Sequence, residues 1–171
     1  MTEKINPFDY AERIDKALQS GILLNTRGEK FNSMVIGWGH LGVIWGLPTF
    51  TVYVRQSRYT KAQLDRTLEF TLSIPASGSL SPEIMRVCGS QSGRDVDKAD
   101  YLTLSPGRVV NTPAVREYPL TLECRVLYRQ DQVLDGIPKP IRDRYYSRGG
   151  DAGDFHTAYI GQIVDAYILK K

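Results

Sequence analysis

The longest strand-like run in the chain, Thr157 to Leu169, sets the terms for everything that precedes it. Ala158, Ile160, Val164, Ala166 and Ile168 are spaced to put apolar side chains on one face, and a strand of that length needs a broad sheet to pair with. Leu120 to Arg129 reads the same way, with Leu122, Cys124, Val126 and Tyr128 on its inner face. Leu68, Phe70, Leu72 and Ile74 alternate with Glu69, Thr71 and Ser73 until Pro75 ends the run. Phe50, Val52 and Val54 share one face, and Thr51, Tyr53 and Arg55 the other. Gly21 to Thr26 and Ser33 to Trp38 form a hairpin around Arg27-Gly28-Glu29-Lys30, with Gly28 placed for a positive φ.

Helical spacing is confined to short stretches. Ile5 to Gln19 carries a stripe of Phe8, Ala11, Ile14 and Leu18, with Pro7 in the first turn and Gly21 as the stop. Thr60 opens about two turns, its hydroxyl as cap and Gln63 at the capping-box position, with Leu64, Thr67 and Leu68 facing inward. Pro82 opens another that Gly89 ends. From Ser90 to Pro119 the chain reads as loop, turning at Pro106-Gly107 and Thr112-Pro113. A polar connection with Tyr145, Tyr146, Gly149 and Gly150 leads into the last strand. Six strands separated by such short helices argue for an all-β chain, closed or nearly closed as an antiparallel barrel that hides its edges. No repeat or linker divides the chain, so residues 1–171 are expected to form one domain.

Composition narrows the function. The chain is 42% apolar and 24% charged, an ordinary globular balance. No run approaches the roughly 18 apolar residues of a membrane span. The N-terminal stretch lacks a secretory h-region, so the expected location is cytoplasmic. Cys88 and Cys124 lie far apart and are read as buried small hydrophobes; with His40 and His156 they make an improbable zinc set. A net charge of +3 without basic clusters makes nucleic acid a poor partner and suits a small anion.

Three segments are odd for a purely structural barrel. In Asn32 to Gly46 the last ten residues hold four glycines and two tryptophans. Such a cluster either marks the close approach of a backbone or flat ligand, or consists of bulge glycines with tryptophans filling barrel ends. Val54-Arg55-Gln56-Ser57-Arg58-Tyr59-Thr60 brings two arginines, hydroxyls and helix-start amides to one corner. That suits a phosphate, against the alternative of solvated surface arginines. The third, Cys88 to Lys98, contains Ser92, Gly93, Arg94, Asp95 and Lys98; by itself it is more often a plain polar loop than a binding loop. His156, at the entrance to the last strand, is by itself a surface or capping residue unless a ring lies beside it. No Ser-His-Asp order or carboxylate pair argues for hydrolysis.

Taken in order, these segments resemble the flavin reductase-like family of FMN-binding split barrels, in its flavoredoxin-like branch. Carrying the likeness are Gly37-Trp38-Gly39, Trp45-Gly46, Pro48, Val54-Arg55-x-Ser57-Arg58-Tyr59-Thr60, Ser92-Gly93-Arg94-Asp95-x-Asp97-Lys98 and His156-Thr157-x-Tyr159-Ile160-Gly161. The resemblance implies a Greek-key split barrel and a homodimer with FMN near the interface. It implies that Ser33, Met34, Gly37, Trp38 and Gly39 line the flavin ring. Arg55, Ser57, Arg58, Tyr59 and Thr60 would hold phosphate and ribityl oxygens, with Ser92, Gly93, Arg94, Asp95 and Lys98 completing the pocket. His156 and Tyr159 would lie on the substrate side, and NADH or NADPH would be a transient donor that needs no dinucleotide-binding fold of its own. Flavoredoxin-type electron transfer to a partner protein, without nicotinamide oxidation, is the alternative; an FMN-storing or tetrapyrrole-binding module and a structural dimer are more distant ones. Val35, Leu47, Ala158 and Gln162 depart from the branch pattern, where threonine, lysine, methionine and glutamate are usual.

Overall fold

A computed structural model describes residues 1–147 and 153–170; Gly149 and Gly150 lie outside them. The strands are β1 (Thr2–Lys4), β2 (Ile22–Arg27), β3 (Phe31–Ile36), β4 (Gly39–Ile44), β5 (Leu47–Arg55), β6 (Glu69–Ile74), β7 (Leu104–Ser105), β8 (Ala114–Val115), β9 (Leu120–Asp131) and β10 (His156–Leu169). Four α-helices join them: α1 (Ala11–Ser20), α2 (Tyr59–Thr67), α3 (Pro82–Ser90) and α4 (Lys139–Tyr145). Eight strands form one antiparallel sheet in the order β3-β2-β6-β9-β10-β5-β4, with β1 also on β10. β7 and β8 pair separately.

The closure expected of a barrel is not present. β3 and β4 end the sheet as unpaired edges, although only Gly37 and Trp38 separate them in the chain. β4 itself was hidden in the glycine-rich segment. Its hairpin with β5 turns on Trp45 (φ 55°) and Gly46 (φ 71°), a two-residue turn with both central residues left-handed. Trp45 is accordingly exposed at the turn and fills no barrel end.

The larger of two main core clusters lies on one face of the sheet, and a smaller one, with Leu23, Phe31, Ile84 and Val87, on the other. Phe50, Val52, Val54, Phe70, Leu72, Ile74, Leu122 and Cys124 are buried in the larger one, covered by Ile14, Ala17 and Leu18 of α1 and Leu64 of α2. Phe8 stays substantially exposed, because its segment is a separate 3-10 turn capped by Asn6. The inner face expected of β10 needs correction. Tyr159 and Ile163 point into the core, and Gly161 faces Phe70 so closely that a Cβ would sit 2.6 Å from its ring. Register shifts against β9 explain this: the second leaves Val164 as an extra residue, so Ala166 takes over the inward face beyond it. The first leaves Leu127 extra on β9, which turns Tyr128 out to solvent.

Other corrections are local. Gly28 does not take a positive φ; it makes room for the Gln63 side chain, 3.3 Å from where its Cβ would stand. The capping box at Thr60 is absent. Arg58 is the N-cap of α2 with no side-chain cap, while Thr60 Oγ1 accepts from Asn32 Nδ2 at 2.8 Å and Gln63 accepts from Thr26. Leu68 leaves the strand as the left-handed cap of α2 and is exposed. Gly89 lies inside α3, which runs on to Ser90.

Loop 103–119 is anchored by one buried carboxylate. Glu123 is fully buried on β9 and accepts the amides of Arg108 (2.7 Å), Val109 (2.7 Å) and Val110 (2.9 Å) and the Tyr167 hydroxyl (2.8 Å). Replacing one carboxylate oxygen by an amide turns a donor toward these donors. Glu123→Gln is expected to cost about 1.5–3 kcal/mol in urea denaturation; an unchanged midpoint would show that the anchor carries no stability.

Candidate functional site

The unpaired edge of β3 borders a cleft with two lobes. The first, about 170 Å³, is walled by Met34, Val35, Ile36, Gly37 and Trp38 on one side and Tyr53, Arg55 and His156 on another. Met34, Val35 and Ile36 are consecutive on β3 and alternate in face, so their shared lining means that the backbone edge itself fronts the cavity. The second lobe, about 320 Å³, lies between the amino end of α2 and the segment following α3. Met34, Arg58 and Gly89 line both lobes, so the cleft is continuous. Its size falls in the range of about 300–1,000 Å³ typical of small-molecule sites.

Charge distinguishes this cleft. Arg55, Arg58, Arg94 and Lys98 line it, and among the described residues no carboxylate does. Arg58 is exposed, forms no ion pair among the described residues, and caps α2, whose first amides no side chain satisfies. Arg94 lies over the Tyr59 ring at 5.3 Å and donates to the Ser57 carbonyl at 3.3 Å. Lys98 is buried and donates to the Ser33 carbonyl at 2.7 Å. Burial pushes the Lys98 ammonium below the usual lysine range and the Arg58 charge adds to that, while Cys88 opposes it. Burial conversely raises the Cys88 thiol, which keeps it protonated and a poor nucleophile.

Other expected residues are already engaged. Arg55 donates to the carbonyls of Asp154 (2.8 Å) and Tyr145 (3.0 Å), and Ser57 gives both its amide (3.1 Å) and its hydroxyl (2.6 Å) to Asp154. They strap the approach to β10 onto β5, leaving Arg58 and Arg94 as the outward cations of the corner. Tyr59, Thr60, Ser92 and Gly93 line the second lobe as expected. Ser33 lies beneath it, its hydroxyl spent on Asn25 at 2.8 Å. Gly39 and Asp95 do not line the cleft; a Cβ on Gly39 would stand 2.7 Å from the Thr51 carbonyl, so that glycine serves the close approach of β4 to β5.

His156 and Tyr159 part company. His156 faces Arg55 across the β5–β10 pair, lines the first lobe and lies 4.8 Å from the Trp38 ring. Tyr159, three residues on, points to the other face, is fully buried and donates to Asp65 at 2.7 Å.

Asn32 was missed. It is buried, lines the second lobe, and its Oδ1 has no hydrogen-bond partner among the described residues. Gly93 passes so close that a Cβ there would stand 2.0 Å from that oxygen and 2.9 Å from the Tyr59 ring. An amide inside a strand, where asparagine is disfavoured, was the available signal.

The Flavin reductase like domain family matches residues 20–171. The chain belongs to this family. Among solved structures, this family member is similar to flavoredoxin from Methanosarcina acetivorans, with 24% identity and a TM-score of 0.64 over 88% of this chain and 69% of that one. An FMN-binding protein from Thermus thermophilus with bound p-hydroxybenzaldehyde matches with 20% identity and a TM-score of 0.65, covering 88% and 72%. An NADH:FAD oxidoreductase from Streptomyces globisporus C-1027 gives 17% identity and 0.65, covering 98% and 87%. No curated protein matches in sequence.

Gly93→Ala is expected to cost about 1–3 kcal/mol of stability through overpacking. Shortening the partner should recover part of it, so Gly93→Ala with Asn32→Ala should lose less than the sum of the two single changes in denaturation. Strict additivity would mean that the two residues do not press on one another.

Proposed function

We propose that this flavin reductase-like protein is an FMN-binding oxidoreductase, acting as an NAD(P)H-dependent flavin reductase or a close functional relative. The observation that carries the reading is a cleft lined, among the described residues, by four cations and no carboxylate, joined to a slot walled by a strand edge. The residues present fit the cofactor. Arg58, Arg94 and the uncapped start of α2 suit a phosphate. The unpartnered Oδ1 of Asn32 and the hydroxyl of Thr60 suit a polyol chain, and Met34, Gly37 and Trp38 suit a flat ring. Bound FMN would supply the hydride and electron chemistry.

The protein's own part is binding, orientation and exclusion of water. Lys98 holds a positive charge beneath the cleft and ties it to β3 through Ser33. Arg55 and Ser57 keep the His156 segment against β5, which sets the width of the first lobe. Trp38 covers the His156 ring and shields that end from solvent. NADH or NADPH would enter as a transient donor, in line with the NADH:FAD oxidoreductase among similar structures. We read the open sheet as a split barrel, residues 1–171 as one domain, and the protein as a cytoplasmic homodimer with FMN near its interface; a redox partner protein is compatible with this, and neither nucleic acid nor membrane is expected.

Protein purified with a flavin absorbance, or quenching FMN fluorescence on titration, is the expected result; a colourless protein without FMN affinity would remove the reading. Arg58→Ala should weaken FMN by about 1.5–3 kcal/mol through loss of a charge-assisted contact, read by the same titration. Anaerobic mixing with NADH and NADPH should bleach the bound-flavin band, whereas flavoredoxin-type electron transfer without nicotinamide oxidation would leave it unchanged.

A further inference from the structure

A second cavity, of about 370 Å³, lies between the end of β2 and the loop that joins β7 to β8, and it shares no lining residue with the cleft. Leu104, Pro106, Val110 and Pro113 give it apolar walls. Arg27 is the only charged residue lining it among the described residues. Side chains alternate along β2, so Arg27 shares a face with Leu23, which belongs to the smaller core cluster that Leu104 packs against. The volume falls in the range of about 300–1,000 Å³ typical of small-molecule sites.

The loop is held in place at nearly every step, so this hollow does not close by collapse. At its base the Thr103 amide donates to Glu117 at 2.9 Å, and the Arg116 amide donates to the Thr103 carbonyl at 2.9 Å. Glu123 takes the amides of residues 108–110. Glu69 accepts from the Asn111 amide at 3.0 Å and from its Nδ2 at 3.3 Å. The Thr71 hydroxyl donates to the Pro113 carbonyl at 2.7 Å. Gly107 crosses the Val110 and Thr112 carbonyls so closely that a Cβ would stand 2.2 and 2.7 Å from them. Walls fixed in this way need little further ordering when a ligand enters.

The charge of the cavity differs from that of the cleft. The Arg27 side chain is exposed and makes no hydrogen bond or ion pair among the described residues, and the nearby Glu29 is taken by Arg66 at 3.3 Å. A guanidinium presents two N–H donors in one plane, which match the two oxygens of a carboxylate. One cation suits one negative charge. The loop amides that would serve a phosphate are spent on Glu123 and Glu69, and those two carboxylates disfavour a multiply charged anion.

We propose that this cavity is a second binding site, for a small monocarboxylate with an apolar body. Arg27 holds the carboxylate, and Leu104, Pro106, Val110 and Pro113 take the body out of water. The site is separate from the cleft and does not depend on the flavin reading.

The test is a titration of full-length 15N-labelled protein with benzoate, followed in residue-resolved 1H–15N amide spectra. The expected result is a saturable shift at Leu104, Gly107, Val110 and Asn111, absent when inorganic phosphate is added at the same ionic strength. Benzyl alcohol, which keeps the ring and loses the charge, should bind at least about tenfold more weakly, and Arg27→Gln should weaken benzoate by a similar factor. Arg27 is exposed, so the variant should keep the wild-type denaturation midpoint. No saturable shift at these four amides overturns the proposal, as do shifts confined to Arg58, Ser92 and Arg94 in the cleft. Benzoate affinity unchanged in Arg27→Gln, or the same shifts with phosphate, overturns it as well. Benzoate bound here by a protein without FMN affinity would remove the flavin reading and leave this site standing.

Discussion

The unpaired edge of β3 is the constraint on which the site depends. A strand edge presents amides and carbonyls that must meet another strand, a side chain, water or a ligand. Here the sheet stops at β3, and what lies beyond it is a cavity instead of β4. β4 pairs with β5 instead, and Gly39 brings the two strands so near that no Cβ fits between them. Lys98 also acts on the β3 side, with its ammonium on the Ser33 carbonyl. The gap is thus built by the same contacts that hold the sheet.

Electrostatics explains why such a gap is not neutral space. Lys98 is buried without a carboxylate partner among the described residues, and the Arg58 charge works against its protonation. Elsewhere the chain places carboxylates carefully: Asp65 takes Lys61 and Arg129, Asp165 takes Arg108, and Glu123 takes three backbone amides. Among the described residues, Arg58 and Lys98 have no carboxylate partner in the cleft, so negative charge is favoured there. An anion that enters relieves the repulsion between Arg58 and Lys98 as well as making its own contacts.

Most of the sheet was legible because alternation is a local property: β2, β3, β5, β6 and β9 lie where their apolar residues repeat. β4 was not, since His40, Gly42 and the turn at Trp45-Gly46 carry little alternation, and its identity comes from pairing with β5. β10 was found but its inner face was misassigned, because an extra residue on one strand changes parity without leaving a mark in composition. In the site, the corner 55–60 and the segment 92–98 were legible as positive charge beside a helix start. Which arginines face outward was not, because Asp154, far along the chain, occupies Arg55 and Ser57. Asn32 was passed over for a related reason: its unpartnered oxygen is a fact of three dimensions.

The contrast between His156 and Tyr159 shows how parity decides chemistry in a sheet protein. Both stand on β10 three residues apart, so one must face the cleft when the other faces the core. Tyr159 is tied to Asp65 on α2, a contact that fixes α2 and with it the uncapped amides beside Arg58. His156 is tied through Tyr146 to Gln132, just beyond β9, so its ring is oriented by the neighbouring strand pair. One strand therefore reaches both ends of the cleft: the cationic end indirectly, through a buried tyrosine and the helix it holds, and the other end directly, through the histidine at its start. A shift of β10 by a single residue would exchange the two side chains; the first register shift lies beyond Ile160 and leaves this stretch regular.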